Sequence, residues 1–167
     1  IRLMGINVIQ VNRTALSGDL ALEAQRQSPQ GVTYGDAKAI EELFSSAKSV
    51  LPVCRVFAEL RQSGRGVAAK VFGATPGYAD VNRIVLDAGR FLDETDVERR
   101  ARVCVIGADV KRSAFFLEDP IGKPLRIGDQ EFQVVGVMEE RVIRAGGSMF
   151  SLPSLNEDIY IPITVAM

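Results

Sequence analysis

The chain has 167 residues, 47% apolar, 25% charged and 7% aromatic, with 15 glycines and 7 prolines. That composition belongs to a globular domain, excludes disordered, collagen-like and coiled-coil chains, and gives one domain or two small subdomains sharing a core. With 20 Lys+Arg against 21 Asp+Glu the net charge is −1, too balanced for a dedicated nucleic-acid binder, which must neutralise several phosphates.

The stretch Gly5–Asn12, with Ile6, Val8 and Val11, reads as a strand. Arg13–Gly31 has poor periodicity and many Gly, Ser, Gln and Pro residues, so a loop is expected there. Thr33 then caps a helix with Asp36 in its first turn, where the dipole favours an anion. Ala37, Ile40, Leu43 and Phe44 follow at helical spacing, with a stop near Ser45 and Ser46. Val50–Leu60 is β-rich, with Val56, Ala58 and Leu60 alternating against Phe57 and Glu59. Together with Val67–Phe72, and the turn residues Gly64 and Gly66 between them, it predicts a hairpin.

Thr75-Pro76 is expected to open a short helix with Thr as cap, and Asp93 to cap another. Arg102–Ile106 reads as a strand, and Gly107-Ala108-Asp109 leads into a helix carrying Val110, Ala114, Phe115 and Leu117. Asp119-Pro120 and Gly122–Pro124 break that helix. Leu125–Ile127 and Glu131–Met138 form a second hairpin across Gly128-Asp129-Gln130. Arg141–Glu157 is long and irregular. Asp158–Val165 is the last strand, with Pro162 favouring an edge position or the strand's end. Short helices mixed with strands and hairpins give an α+β fold.

What the chain lacks narrows its chemistry. It has no histidine, which removes Ser-His-Asp and Cys-His catalysis and the usual zinc sites. Its two cysteines, Cys54 and Cys104, make neither a four-thiolate site nor a Cys-x-x-Cys pair; buried free thiols and an intrachain bridge both stay open. Gly64-Arg65-Gly66 precedes a β-rich run rather than a helix, and no P-loop is present, so no nucleotide site is expected. The acids Asp93, Glu94, Asp96 and Glu98 lack interleaved turn glycines and read as a helix start, not a cation site. No enzymatic activity and no cofactor or metal are expected. Met149, Phe150 and Leu152, beside Gly146-Gly147, are the candidate functional residues: apolar side chains on a long loop mark either a contact surface or a satellite of the core.

Several stretches in order resemble one family: Gly73-Ala74-Thr75-Pro76-Gly77-Tyr78, Gly89-Arg90-Phe91-Leu92, Arg102–Gly107, Glu118–Ile127, Phe132–Met138 and Asp158-Ile159-Tyr160-Ile161-Pro162. Together they are similar to the extracytoplasmic core domain of MacB-type ABC transporter permeases, the macrolide-exporter and lipoprotein-release superfamily. No apolar run here approaches the roughly 20 residues of a membrane-spanning helix, and a chain opening at Ile1 without a signal peptide reads as a piece of a longer polypeptide.

The resemblance implies a porter-like βαβ subdomain with an inserted small mixed α/β (Sabre-like) subdomain. On this expectation residues 1–73 are the first half of the porter-like part, 74–157 the insert and 158–167 a returning strand, with the second porter-like half absent. It further implies a bacterial inner (cell) membrane location through flanking helices, with this domain facing the periplasm or cell exterior. The partners implied are a nucleotide-binding ATPase domain or subunit, a second permease in a homodimer or heterodimer, and a periplasmic adaptor. In that setting Met149, Phe150 and Leu152 become a subunit-contact or gate loop. The alternative function is a ligand-capture module for a lipidated or peptide substrate.

Overall fold

The fold is taken from a computed structural model that describes residues 33–43, 49–62, 64–141 and 155–167. The chain divides into two compact units, residues 1–52 and 53–167. In the first, helix α1 (Tyr34–Leu43) starts at a reciprocal cap. The Asp36 amide donates to Thr33 Oγ1 at 3.2 Å, and the Thr33 amide donates to Asp36 Oδ2 at 2.7 Å. These bonds satisfy donors that a helix start leaves open. The predicted strand Gly5–Asn12, the loop after it and the helix stop at Ser45–Ser46 lie outside the described residues.

The second unit is one mixed sheet of nine strands with short helices against it. The strands are β1 (Cys54–Val56), β2 (Leu60–Gln62), β3 (Arg65–Val67), β4 (Lys70–Ala74), β5 (Leu86–Gly89), β6 (Val103–Ile106), β7 (Pro124–Ile127), β8 (Gln130–Met138) and β9 (Asp158–Pro162). The helices are α2 (Tyr78–Val81), α3 (Glu94–Glu98), α4 (Ala108–Phe115) and α5 (Ile163–Ala166), with a 3-10 turn at Leu155–Glu157. Strand order is β1-β4-β9-β6-β8-β7-β2-β3, with β5 on β8 beyond the end of β7.

The predicted first hairpin forms, but it does not stay in one place. Cys54 faces Gly73, Val56 faces Val71, Leu60 faces Val67 and Gln62 faces Arg65, so a single register runs through the whole hairpin. Its lower half, β1 and β4, makes one end of the sheet, and its tip, β2 and β3, makes the other. One hairpin shared by both ends forces the sheet to curl. The expected continuous strand Val50–Leu60 is therefore two strands, broken at Phe57–Glu59 where the hairpin bends. At the bend the Gly128 amide donates to the Glu59 carbonyl at 2.7 Å, fastening the turn of the β7–β8 hairpin to it.

Alternation along the strands divides the core into two. Cys104 and Ile106 of β6 and Ile159 and Ile161 of β9 join Leu60, Val67, Val71, Leu125, Phe132 and Val134 on one face, closed by Val110 and Phe115 of α4. Val103, Val105, Tyr160, Met138, Ala74 and Leu92 make the other face. A bulge between Cys104 and Val105 shifts the β6–β8 register. The bulge explains why Val134 and Val137, three apart in β8, reach the same cluster. Each fully buried Val or Ile here contributes about 1.5–3 kcal/mol.

Beside β8 the backbone passes too close for side chains. A Cβ on Gly136 would sit 2.1 Å from the Arg90 carbonyl oxygen, and one on Gly89 2.1 Å from that of Val135. Gly89 also has φ +75. This contact places Arg90 for a bidentate pair with Asp96, Nη1–Oδ2 2.6 Å and Nη2–Oδ1 3.1 Å. The same Asp96 closes the capping box of α3, accepting from the Asp93 amide at 3.0 Å while its own amide donates to Asp93 Oδ1 at 2.9 Å. Burial pushes the Asp96 carboxyl up, but the Arg90 hydrogen bonds and charge and the Asp93 amide outweigh it, so its pKa lies below the ordinary value.

Several expected elements are corrected. Thr75 does not cap the following helix: α2 starts after Gly77, and Thr75 Oγ1 is buried with no hydrogen-bond partner among the described residues. Strand β5 was not foreseen. The last strand stops at Pro162, which has no N–H to extend the ladder, and Ile163–Ala166 turns into α5. Pro162 marks a strand end, not an edge, since β9 lies between β4 and β6. Both cysteines are free thiols, with Cys104 fully buried and its pKa pushed to about 12 by that burial.

Leu117 is not on the apolar face of α4. The helix ends at Phe115, and a turn closed by the Glu118 amide on the Phe115 carbonyl at 2.9 Å follows. Phe116, at φ 57 and ψ −107, takes the first central position of a type II′ turn. That position suits glycine, and a phenylalanine there costs about 1–3 kcal/mol of backbone strain.

The Gly89–Gly136 contact gives a direct test. Gly136→Ala must push the Arg90 backbone away and should lower stability by about 2–4 kcal/mol in urea unfolding, with Gly66→Ala, whose site is open, changing it by less than about 1 kcal/mol.

Candidate functional site

Met149, Phe150 and Leu152 lie outside the described residues. What is described are the two stems that carry their segment, Arg141 on one side and Leu155–Asp158 on the other. A single side chain joins them. The Arg141 amide donates to Asn156 Oδ1 at 2.9 Å, and Asn156 Nδ2 donates to the Arg141 carbonyl at 3.2 Å. One carboxamide thus pairs with both polar groups of one residue's backbone, as a neighbouring strand would.

The guanidinium of Arg141 reaches a third element. Its Nη2 donates to the Asn82 carbonyl at 2.7 Å and also to that of Arg83, whose backbone is left-handed at φ 50. Asn82 Nδ2 in turn donates to the Tyr78 carbonyl at 2.9 Å, closing the end of α2. On the other stem, the Gly107 amide donates to the Asp158 carbonyl at 2.9 Å. A Cβ on Gly107 would meet the Asn156 carbonyl oxygen at 2.2 Å, so glycine there is what lets the stem lie against the start of α4.

Below the stems, β9 carries the buried polar pair Asp158 and Tyr160. Their spacing of two puts both on one face of the strand, and Tyr160 Oη donates to Asp158 Oδ2 at 3.3 Å. Tyr160 is ringed by Phe72, Tyr78 and Phe91, with ring centroids 5.9, 5.1 and 5.8 Å away. Burial pushes the Asp158 carboxyl up to about 6, against the lowering pull of Lys70, the Tyr160 hydrogen bond and Arg55, while Glu157 adds to the rise. Burial, with Tyr78 and Asp158 nearby, lifts the Tyr160 hydroxyl far above its ordinary value. A neutral tyrosine donating to a carboxylate ties neighbouring positions of the strand together, and both side chains are buried.

A shallow cavity of about 330 Å³ lies at the hairpin bend, floored by Val56, Ala58 and Ala69. Its cations are engaged: Lys70 Nζ pairs with Glu157 at 3.2 Å, and Arg55 sits 5.0 Å over the Phe57 ring. No group of three or more metal-ligating side chains occurs among the described residues. Asn156, Arg141 and the Asp158–Tyr160 pair were not singled out in the sequence. Only the Asp158–Tyr160 pair left a signal, two polar residues at alternate positions in an otherwise apolar strand.

With this geometry in view, the class is defined by comparison. The model of the MacB-like periplasmic core domain matches residues 2–167. The chain therefore belongs to that family: it is a periplasmic core domain of a MacB-type ABC transporter permease, and such domains are not enzymes. Among curated relatives it is 29% identical over 137 residues to the macrolide export ATP-binding/permease protein MacB of Bdellovibrio bacteriovorus, covering 81% of this chain and 20% of that protein. It is 33% identical over 109 residues to MacB of Neisseria gonorrhoeae, covering 65% of this chain and 17% of that protein. Among solved structures it resembles the periplasmic region of MacB from Actinobacillus actinomycetemcomitans, with TM-score 0.67, 24% identity and coverage of 85% of this chain and 61% of that one. The extracellular domain of the transporter YknZ from Gram-positive bacteria also has TM-score 0.67, at 20% identity, over 83% and 66% of the two chains. The chain spans about a fifth of the curated relatives it matches. Their names carry an ATP-binding part, and no helix of the described residues is long and apolar enough to cross a membrane.

The raised Asp158 pKa sets a pH dependence. In the folded state the carboxyl holds its proton up to about pH 6, whereas in the unfolded chain it releases it near 4. Stability should therefore rise by about 2 kcal/mol as pH falls from 7 toward 4.5 on account of this group. Thermal unfolding of Asp158→Asn across that range should show a flatter profile and a higher Tm at pH 7; an unchanged profile would put the carboxyl in solvent.

Proposed function

We propose that this domain is the extracytoplasmic part of a permease anchored in the bacterial inner (cell) membrane. On this reading it transmits conformational change from ATP hydrolysis elsewhere in the transporter to export of a substrate or release of a lipoprotein. The family match over residues 2–167 carries the reading. The physical character of the domain supports it: a curled sheet with a buried core on both faces resists deformation and passes displacement between its ends. The segment from 142 to 154 is tied at its base to three elements at once, so motion of the body moves its stems.

The subdomain division belongs to this proposal: residues 1–73 as the first porter-like half, 74–157 as a Sabre-like insert and 158–167 as the returning strand. So do the partners. A nucleotide-binding domain or subunit supplies the energy, a second permease faces this one in a homodimer or heterodimer, and a periplasmic adaptor is a further partner. Met149, Phe150 and Leu152 are assigned to the contact or gate between facing copies.

Changing Met149 and Phe150 together to Ser in the full-length permease tests the assignment. Transport in whole cells or proteoliposomes should fall at least about tenfold, while the Tm of the domain shifts by less than about 2 °C, since surface substitutions rarely cost more than about 0.5 kcal/mol. A large drop in Tm would make the two side chains part of the core and sink the assignment.

A further inference from the structure

The root of the second stem gathers two carboxylates around one cation. Asp158 is 5% exposed, and Lys70 stands directly across from it in the parallel β4–β9 ladder. Lys70 Nζ is engaged at 3.2 Å by Glu157, the residue just before Asp158. The outer carboxylate thus holds the ammonium in direct contact, and the buried one feels it from farther off.

Every element around Asp158 bears on its charge. Lys70 of β4 and Arg55 of β1 favour the ionised carboxyl, as does the Tyr160 hydroxyl on its own strand, while Glu157 of the 3-10 turn opposes it. From α2 the Tyr78 ring packs on Tyr160, with centroids 5.1 Å apart. Strand β6 brings no charged side chain. The start of α4 supplies the Gly107 amide to the Asp158 carbonyl, and its first-turn acid, Asp109, is paired with Arg112. Burial outweighs the attractions, so the carboxyl keeps its proton up to about pH 6.

The consequence follows from what the stem holds. The Asp158 carbonyl binds the Gly107 amide, and Asn156, two residues earlier, clasps Arg141. Any opening that lifts residues 155–158 from β4 and α4 brings the carboxyl into water, where it ionises near 4. The closed stem therefore binds the proton more tightly than the open one, and acid favours the closed form. As pH rises through about 6 the closed form loses that advantage.

We propose that Asp158 is a proton-operated latch: protonated, it locks the stem Leu155–Asp158 against β4 and α4, and ionised, it loosens that stem. The latch rests on the geometry of the stem and not on the transporter reading. Hydrogen exchange in the 167-residue chain tests it. Corrected for intrinsic rates, protection of the Gly107 and Arg141 amides should rise about tenfold from pH 7 to pH 5. The Ile121 amide, held by Asp119 in an exposed turn, should keep the same protection throughout.

Asp158→Asn should abolish the slope and leave both stem amides as protected at pH 7 as the parent chain is at pH 5. Two surface variants set the sign independently, with the Asp158 midpoint read by carboxyl-carbon NMR. Lys70→Met removes an attraction and should move the midpoint up; Glu157→Gln removes a repulsion and should move it down. A carboxyl that titrates near 4, an equal gain at Ile121, a slope that survives Asp158→Asn, or a midpoint indifferent to both surface variants would each overturn the latch. If Asp158→Asn does not fold, the opposed shifts of the other two variants decide alone.

Discussion

The fold depends on one hairpin serving two ends of a sheet. Residues 54–74 pair in a single register, yet their lower half joins β9 and their tip joins β7. A flat sheet cannot satisfy both, so the strands between must curl until the ends meet around α4. The bend then needs a place where neither arm is held in a ladder, and Phe57–Glu59 opposite Ala68–Ala69 provides it. The neighbouring hairpin turn runs close to the bend there: a Cβ on Gly128 would lie 3.7 Å from the Ala58 Cβ. The curl in turn explains why α4, only eight residues long, buries Val110 and Phe115 so completely: it closes a concave surface that would otherwise face water.

A second constraint orders the opposite face. Gly89 and Gly136 allow two backbones to approach beside β8, and the chain leaves that contact with Arg90 aimed at Asp96. The pair is half-exposed at Arg90 and buried at Asp96, which matters energetically. A buried carboxylate without its guanidinium and amide donors would be severely penalised, so α3 stays where Arg90 holds it. Thr164 Oγ1 then donates to the Val97 carbonyl at 2.7 Å, tying α5 to α3. The ladder of local contacts therefore links the end of the chain back to the Gly-Arg-Phe-Leu stretch.

How much of this was legible in the sequence follows from where each signal resides. Capping at Thr33 and Asp93, the turn at Gly128-Asp129 and the apolar runs of β6 and β8 are local, and each was readable because the residues that make the structure are neighbours in the chain. Strand β5 was missed because Leu86–Gly89 is strand only by virtue of β8 beside it: its Gly89 has an unfavourable propensity and a positive φ. The break in the first hairpin was missed because Val56, Ala58 and Leu60 alternate perfectly, and nothing local reveals that two halves of one strand have different neighbours. The α+β class was legible. The Arg141–Asn156 clasp was not, since its function is to connect residues across a segment with no regular pattern.

The same distinction bears on the transmitting role proposed above. A catalytic site needs a few groups at set distances, and those leave marks in a sequence as residue types. A part that carries displacement needs stiffness and points of attachment, and these leave marks as contacts. Here the stiffness comes from the closed curl, and the attachment from one carboxamide and one guanidinium that together fasten Arg141, Asn156, Asn82 and Arg83. The four bonds described for that set all run to backbone atoms, so the geometry they enforce is that of the chain itself. On the proposed reading, a displacement of β9 or of the end of α2 is passed to both stems of the segment between 142 and 154 through the bonds that hold Arg141 to Asn156 and to the Asn82 and Arg83 carbonyls.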